Sequence, residues 1–338
     1  TCRRTGNYSG PQQQGCCAGL LVTQSSKSSA AIIPMPKINS LLRILPLCIA
    51  ALLPAAAQAQ SGTLNTIHQE KSLYRNILVT EDDVRRCMRF TITEIGGQNQ
   101  SCYFLDNPDK LVFPYAKMVL TSLLVQDNPQ RILIIGLGGG TLMHTYSTLF
   151  PQAEIIVAEI DEAVVSVAEE YFAYKSTDKI KTVTEDGRLY IKRAGLRNEK
   201  FDLVILDAFN GDYIPEHLMS AEFFEEVKKL LPANGMVVSN TFSSSRLYSA
   251  ESQTYAQVFG KIFNIRMANT GNRIIVASQQ PLPDKATLEQ RAAAMGDRLA
   301  KFDVKPAEMI RHIKTEPDWD TKERVLTDQY SPVNQLNN

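Results

Sequence analysis

The 338-residue sequence predicts an α/β fold in which a small antiparallel β domain precedes a doubly wound, mostly parallel sheet. From Arg131 onward, near-continuous apolar runs alternate with segments of helical spacing, which is typical of parallel strands covered by helices on both faces. Before this region, residues 62–106 alternate between polar and apolar side chains and contain frequent turn signals. This second pattern predicts three to five antiparallel strands.

The apolar runs and the helical spacing locate the elements of the larger sheet. The predicted strands are 132–135, 155–158, 180–184, 203–206, 236–240, 262–268 and 273–278. The predicted helices are 115–125, 141–149, 162–171, 187–194, 221–231 and 249–259. The last two strands flank an NTGN turn, so they are expected to form an edge hairpin that makes the sheet mixed. The polar tail predicts two further helices, 285–302 and 306–314.

The start of the chain predicts an export signal. Met35 is followed by Lys37 and Arg43, then by a short apolar run over 44–53, and then by Ala57-Gln58-Ala59, a small-x-small cleavage pattern. The alternatives are a membrane anchor or a core helix, but the apolar run is too short to span a bilayer comfortably.

This interpretation sets the expected domain organisation. Residues 1–34 are predicted to be a non-native or disordered leader, and residues 35–59 the signal peptide. A small β domain (60–113), a nucleoside-binding catalytic domain (114–282) and a helical C-terminal extension (283–338) follow. The mature protein would be periplasmic with no stable membrane span, or cytoplasmic if the signal is misread.

The cysteines are consistent with an oxidising compartment. Of the six cysteines, only Cys87 and Cys102 lie in the mature chain, and they flank the Gly96-Gly97 turn of a predicted hairpin. A hairpin would bring them near each other, so a disulfide is expected; two buried free thiols are the alternative.

Composition excludes some functional classes. The net charge is zero and no basic stripe is present, which argues against a nucleic-acid partner. The four histidines and six cysteines form no cluster with metal-ligand spacing, so no metal site is expected.

The segment 131–161 carries the first functional signal. A buried strand leads into a glycine loop with Gly136, Gly138 and Gly140, a helix follows, and the next strand ends in Glu159. Glycines allow a ligand to approach the backbone closely, and the following helix offers free N–H groups. An acid such as Glu159 can accept hydrogen bonds from both hydroxyls of a ribose. The segment therefore predicts an adenosine-containing ligand rather than a glycine-rich turn without one.

Two further acidic sites follow later strands. Asp186 and Gly187 open a helix, where Asp186 could bind an adenine amino group, cap the helix, or do both. Asp207 ends the strand 203–206, at the sheet edge where open α/β sheets bind ligands. Together with Asp212 and Glu216 it forms an acidic loop that suits a cationic amine. An amine nucleophile must lose a proton before it attacks, so Asp207 is the candidate base; the alternative is that these acids only cap the next helix.

These motifs, in this order and spacing, resemble the polyamine aminopropyltransferases, the spermidine synthase family. The matching motifs are Gly136–Gly140, AEID at 158–161, EDG at 185–187, DLVILDAF at 202–209 and PEHLMSAEFFEEVKKLLPANG at 215–235. Upstream, SLYRNILV at 72–79 and Gln100-Ser101 resemble the N-terminal β domain of the family. The tail LTDQYSP at 326–332 is similar to a divergent branch of spermidine-synthase-like proteins.

The resemblance implies a class I methyltransferase-like Rossmann fold that binds decarboxylated S-adenosylmethionine. It implies aminopropyl transfer to an amine such as putrescine, with release of methylthioadenosine, and it suggests a homodimer. Glu159 would bind the ribose, Asp186 the adenine, and Asp207 would act as the base.

The sequence also departs from the family pattern near the acceptor. Gly139 replaces the loop aspartate that binds the aminopropyl amine, and Arg75 replaces a glutamine. Tyr74 and Tyr115 remain as candidate acceptor-binding residues, whereas Lys117 falls where a glutamate is expected. Two functional alternatives therefore stay open. They are an S-adenosylmethionine-dependent methyltransferase acting on another acceptor, and a non-catalytic exported binding protein with a degenerate site.

Overall fold

The computed structural model describes residues 64–91, 98–172, 174–209, 214–268 and 270–332, which belong to one compact unit, Ala59–Asn338. The predicted leader and signal peptide lie outside the described residues, as do the Gly96-Gly97 turn and Asp212.

The described residues form the two predicted layers, a small sheet and a large one. The strands are β1 (Asn65–Lys71), β2 (Asn76–Glu81), β3 (Arg85–Arg89), β4 (Asn99–Phe104), β5 (Arg131–Ile135), β6 (Glu154–Glu159), β7 (Ile180–Thr184), β8 (Leu203–Leu206), β9 (Met236–Phe242), β10 (Ile262–Arg266), β11 (Asn272–Ser278) and β12 (Ile313–Lys314). The helices are α1 (Pro114–Leu120), α2 (Thr141–Leu149), α3 (Glu162–Tyr171), α4 (Gly187–Leu196), α5 (Ala221–Lys229), α6 (Tyr248–Phe259), α7 (Lys285–Ala300) and α8 (Pro306–Met309).

The small sheet confirms the predicted antiparallel region. Its four strands have the order β1-β2-β3-β4, and every neighbouring pair is antiparallel. Ile77, Val79 and Met88 are fully buried and belong to one apolar cluster with Val164 and Phe172, from α3 and its end. The small sheet is therefore held against the larger one by apolar contacts, which places β4 beside the glycine loop.

Cys87 and Cys102 occupy directly opposite positions on β3 and β4. Their Cα atoms are 4.1 Å apart, and their Sγ atoms lie within bonding distance. The predicted hairpin geometry is thus present in the strands on either side of the turn.

The large sheet has the order β12-β10-β11-β9-β8-β5-β6-β7. The five neighbouring strands β9, β8, β5, β6 and β7 are parallel to one another. In contrast, β10 and β11 form the predicted antiparallel hairpin next to β9. Successive residues of β5 face opposite layers: Ile132 and Ile134 belong to one apolar core, and Leu133 and Ile135 to the other. The first core also contains buried residues of α1, α2 and α7, and the second those of α4, α5 and α6, which is the doubly wound arrangement.

Two predicted helices end five residues earlier than expected. The helix over 115–125 is α-helical only to Leu120 and continues as a 3₁₀ turn, Thr121–Leu124. The helix over 306–314 ends at Met309, and its last two residues form β12 instead. There Ile313 pairs with Ile265 and Lys314 with Asn264, because the outer side of β10 offers unpaired backbone groups.

No helix in the described part of the chain is both long and apolar enough to cross a membrane.

Candidate functional site

A pocket of about 600 Å³ opens at the carboxyl ends of the parallel strands, between the two sheets. Its lining includes the glycine loop and three predicted acids, Glu159, Asp186 and Asp207. Because the carboxyl ends of parallel strands share one edge, acids distant in sequence meet in this pocket.

The glycine loop has the positive φ angles that glycine permits. Gly136, Gly138 and Gly140 have φ angles of 97°, 55° and 74°. At Gly136 a Cβ atom would lie 2.5 Å from the carbonyl oxygen of Asp207. The loop therefore approaches the backbone that carries the candidate base, and a side chain at this position would displace it.

Gly136→Ala is expected to lower the free energy of unfolding by at least about 1–3 kcal/mol, the usual cost of forcing a side chain into such a φ region. The clash with the Asp207 carbonyl adds to that cost. Denaturant unfolding measures the change. Gly296→Ala on α7 is the matched control, since a Cβ there meets nothing within 4 Å and alanine favours the helix. Equal stability of both variants would contradict the close approach.

Glu159 lies at the end of β6, where its carboxylate is almost fully buried. One carboxylate oxygen accepts a 3.0 Å hydrogen bond from the Leu137 amide, and the other accepts a 3.0 Å bond from the Asp161 amide. Burial raises the pKa of Glu159, and these two amides and the charge of Arg75 oppose the rise. Each oxygen keeps a further lone pair, so the carboxylate can still accept the two hydroxyl protons of a ribose.

Asp186 is both a helix cap and a pocket residue. One oxygen accepts from the Leu189 amide at 3.0 Å, which confirms the capping alternative, and the other lies 2.9 Å from Nε2 of His217. The hydrogen bond with His217 is the main reason that the pKa of Asp186 is lowered. A Cβ atom at Gly187 would overlap the side chain of Ile135, so this glycine allows α4 to pack against β5 beside the pocket.

Asp207 is a half-buried acid that directly follows β8 at the sheet edge. Its Oδ1 accepts from the side-chain amide of Asn240 at 2.8 Å, and its Oδ2 accepts from the hydroxyl of Tyr115 at 3.2 Å. Burial raises the pKa of Asp207 to about 6, although both hydrogen bonds oppose the rise. Asn240 is itself fixed by a 3.0 Å bond from Asn272. A carboxylate so oriented, with a pKa near neutrality, is suited to accept a proton.

Aromatic side chains form a further part of the pocket lining. Tyr74 and Tyr115, the candidate acceptor-binding residues, both line the pocket, and so does the loop acid Glu216. Further aromatic residues of the lining are Phe90, Phe113, Phe209 and Phe242. Such rings pack against alkyl chains and attract cations through their faces.

The three departures from the family pattern have different structural outcomes. Lys117 is not among the pocket-lining residues, and its ammonium pairs with Asp303 at 2.5 Å instead. At Gly139 a Cβ atom would lie 2.7 Å from the Phe172 ring and 2.8 Å from Ser101 Oγ, so no larger side chain fits without rearrangement.

Arg75 does line the pocket. Its guanidinium donates to the carbonyl of Phe209 at 3.3 Å, lies 4.4 Å from the centre of the Phe90 ring, and approaches Asp161 to 3.5 Å. The positive charge therefore lies near the carboxylates of both Glu159 and Asp161.

Sequence reasoning missed His217, Asn240 and Asn272. Asn240 and Asn272 lie at the same sheet edge because β9 ends there and the antiparallel β11 begins there. Among the described residues, no three His, Cys, Asp or Glu side chains come together in a group that could hold a metal ion.

Comparisons with known proteins agree with this geometry. Residues 112–271 match the family model described as the spermine/spermidine synthase domain. The chain is 44% identical over 277 residues to a polyamine aminopropyltransferase of Vibrio vulnificus, covering 81% of this chain and 92% of the relative. It is 30% identical over 219 residues to one of Chromobacterium violaceum, covering 64% and 82%.

The fold is similar to that of solved spermidine synthases. A probable spermidine synthase from Corynebacterium glutamicum aligns over 76% of this chain and 98% of its own, with a TM-score of 0.58 and 19% identity. The enzyme from Thermotoga maritima aligns over 76% and 87%, with a TM-score of 0.56 and 17% identity. Three acids meet at one sheet edge, the family model matches, and the identity to a relative reaches 44%. The chain therefore belongs to the polyamine aminopropyltransferase family.

Proposed function

We propose that this protein transfers an aminopropyl group from decarboxylated S-adenosylmethionine to an amine such as putrescine. The observation that carries the proposal is the carboxylate of Asp207, held by Tyr115 and Asn240, in the same pocket as the carboxylate of Glu159. Family membership supports the same reaction.

Glu159 and Asp186 would hold the nucleoside of the donor. Glu159 accepts hydrogen bonds from the ribose hydroxyls, and Asp186 accepts one from the adenine amino group. The pocket volume of about 600 Å³ is within the usual range for a small-molecule site. The glycine loop lets the sulfonium end of the donor approach the carboxyl end of β8, where Asp207 lies.

Asp207 would activate the acceptor. An alkylammonium binds beside its carboxylate and gives it a proton, and the freed nitrogen lone pair attacks the donor carbon attached to the sulfonium. The new N–C bond forms as the C–S bond breaks, and methylthioadenosine leaves with the electron pair on sulfur. Alignment of the two reactants supplies much of the rate enhancement, since both are held at one edge of the sheet.

The raised pKa of Asp207 gives a specific pH dependence. The base is active when deprotonated, so kcat/KM is expected to rise with pH through a midpoint near 6, where the carboxyl ionises. Tyr115→Phe removes a hydrogen bond that lowers this pKa and should move the midpoint upward. Initial rates between about pH 5 and pH 8, below the range where an alkylammonium titrates, measure it. A midpoint near 4 in the wild type would contradict the environment described for Asp207.

Calorimetric titration separates the proposed donor from the alternatives. Decarboxylated S-adenosylmethionine and methylthioadenosine are expected to bind, and S-adenosylmethionine is expected to bind more weakly. Preference for S-adenosylmethionine would indicate a methyltransferase. Failure of all three to bind would indicate a protein without the family reaction.

We propose further that the protein is exported and that Cys87 and Cys102 form a disulfide in the mature chain. The signal-like segment 35–59 and the facing positions of the two cysteines on β3 and β4 support this. Peptide mapping of protein isolated from the periplasm should show the linked peptides before reduction only. Recovery of free thiols at both positions, or of chains that retain residues 35–59, would contradict the proposal.

A further inference from the structure

The last described segment of the chain lies against α5 and α6, next to residues 215–218, which line the pocket. Leu326 is fully buried; its amide donates to Thr254 Oγ1 at 2.8 Å, and its carbonyl accepts from the Ala221 amide at 2.9 Å. Residues 327–330, here called the C-terminal turn, close on themselves through two 2.9 Å backbone hydrogen bonds between Thr327 and Tyr330. Leu326 therefore attaches the C-terminal turn to the start of α5 and to α6.

Asp328 in this turn binds one buried arginine. Its two oxygens accept from Nη1 and Nη2 of Arg188 at 2.7 and 2.8 Å, and Oδ1 also accepts from Ser220 Oγ at 2.5 Å. The hydrogen bonds from Arg188 are the main reason that the pKa of Asp328 falls to about 2. A two-point bond of this kind fixes orientation as well as distance.

Arg188 uses all five of its N–H donors. Two go to Asp328 and two go to Glu226, at 2.9 Å each for the latter, and the fifth goes to the main-chain carbonyl of His217 at 3.1 Å. The arginine is only 7% exposed, so an unsatisfied donor would be costly. It thereby joins the C-terminal turn, α4, α5 and the segment 214–218.

The segment 214–218 is the part of this network that faces the pocket. Pro215, Glu216, His217 and Leu218 all line it. His217 bonds to Asp186 at 2.9 Å, while Ser331, just after the turn, donates to the Glu216 carbonyl at 3.4 Å. Asp186 is also two residues before Arg188 in the chain. The turn therefore supports both sides of the contact between His217 and Asp186.

We infer that Asp328 and Arg188 are positioning residues for donor binding, which fix the segment 214–218 and Asp186 around the nucleoside end of the pocket. This inference rests on the proposed function. Neither residue lines the pocket, and neither contacts Asp207, Tyr115 or Asn240. Loss of Asp328 should consequently weaken donor binding without changing the base.

Asp328→Asn removes the charge and replaces one acceptor by a donor that faces the guanidinium. We expect the Kd of methylthioadenosine and the KM for the donor to rise about 5- to 20-fold, the effect of losing roughly one charge-assisted hydrogen bond. The kcat and the KM for the acceptor should stay within about twofold, because the residues around Asp207 keep their contacts. A purely structural role would instead lower the melting temperature without this split between KM and kcat.

Asp318→Asn is the matched control in the same C-terminal segment. The Asp318 carboxylate accepts from the Tyr248 hydroxyl, which lies 2.8 and 2.9 Å from its two oxygens, and from the Asn264 amide at 2.9 Å. Neither Tyr248 nor Asn264 lines the pocket. This variant should leave the Kd of methylthioadenosine within about twofold. Arg188→Lys keeps the charge but cannot reach all five acceptors, and it serves as the second variant if Asp328→Asn fails to fold.

Calorimetry with methylthioadenosine and steady-state kinetics on the full chain decide the inference. Weaker binding by Asp328→Asn or Arg188→Lys, with kcat retained and Asp318→Asn unchanged, supports it. Wild-type affinity in both test variants, or an equal loss in the control, overturns it while leaving the proposed function intact. If the wild type binds neither decarboxylated S-adenosylmethionine, S-adenosylmethionine nor methylthioadenosine, the proposed function is overturned instead.

Discussion

Asp207→Asn is expected to lower kcat by about 10²–10⁴, the range typical for loss of a general base. The asparagine keeps the shape of the side chain, but it cannot accept the ammonium proton of the acceptor. Burial raises the pKa of Asp207 to about 6, which brings the wild-type carboxylate closer to the working pH than an ordinary aspartate. Product formation at saturating donor and acceptor, near pH 8, measures the loss.

The control for this variant makes the same chemical change on the surface. Asp297 lies on the exposed face of α7, so Asp297→Asn should retain wild-type kcat. The Kd of methylthioadenosine should also change little in Asp207→Asn, because the nucleoside is assigned to other residues. Full activity in Asp207→Asn would rule out the role of base.

Glu159→Gln is expected to weaken methylthioadenosine binding by about 10²-fold, since each hydrogen bond to a charged group contributes about 1.5–3 kcal/mol. The carboxylate oxygens accept from two different amides, those of Leu137 and Asp161. The side-chain NH₂ of glutamine must therefore face one of these donors. The substitution should also reduce the free energy of unfolding by about 1–3 kcal/mol, the cost of an unsatisfied buried polar group.

Glu162→Gln provides the comparison, because Glu162 is an exposed acid three residues further along the chain. Calorimetric titration of both variants is the measurement, with circular dichroism to verify the fold. Wild-type affinity in folded Glu159→Gln would contradict the assignment of the ribose to Glu159.

Much of the fold, and the position of the acids at the sheet edge, could be predicted from the sequence. The apolar runs are buried on both faces, so strand boundaries over the parallel region agree with the structure to within about two residues. Glu159 ends one buried strand and Asp207 directly follows another. The carboxyl ends of parallel strands share one edge of the sheet, so both acids could be placed at that edge. Their positions therefore needed no knowledge of side-chain packing.

The contacts around Asp207 could not be predicted in the same way. Tyr115 and Lys117 are two residues apart on α1, and residues at that spacing point to different faces of a helix. Tyr115 consequently reaches Asp207, whereas Lys117 reaches Asp303. Asn240 and Asn272 are brought together by the antiparallel pairing of β9 and β11, which no local sequence pattern marks.

The contacts of the C-terminal turn could not be predicted from the sequence either. The motif at 326–332 could be recognised as a resemblance, but its contact with Arg188 spans 140 positions of sequence. The tail was predicted to be helical, and the part that pairs with β10 is a strand instead. Such long-range contacts determine which polar residues support the pocket. A polar residue forms its contact only where the folded sheet places its partner.

Product analysis with isotopically labelled decarboxylated S-adenosylmethionine and putrescine tests the central claim most directly. The label in the aminopropyl group should appear in spermidine, with methylthioadenosine formed in equal amount, and both should be nearly absent with Asp207→Asn. Formation of S-adenosylhomocysteine and a methylated acceptor from S-adenosylmethionine, with no transfer of the labelled aminopropyl group, would contradict the account.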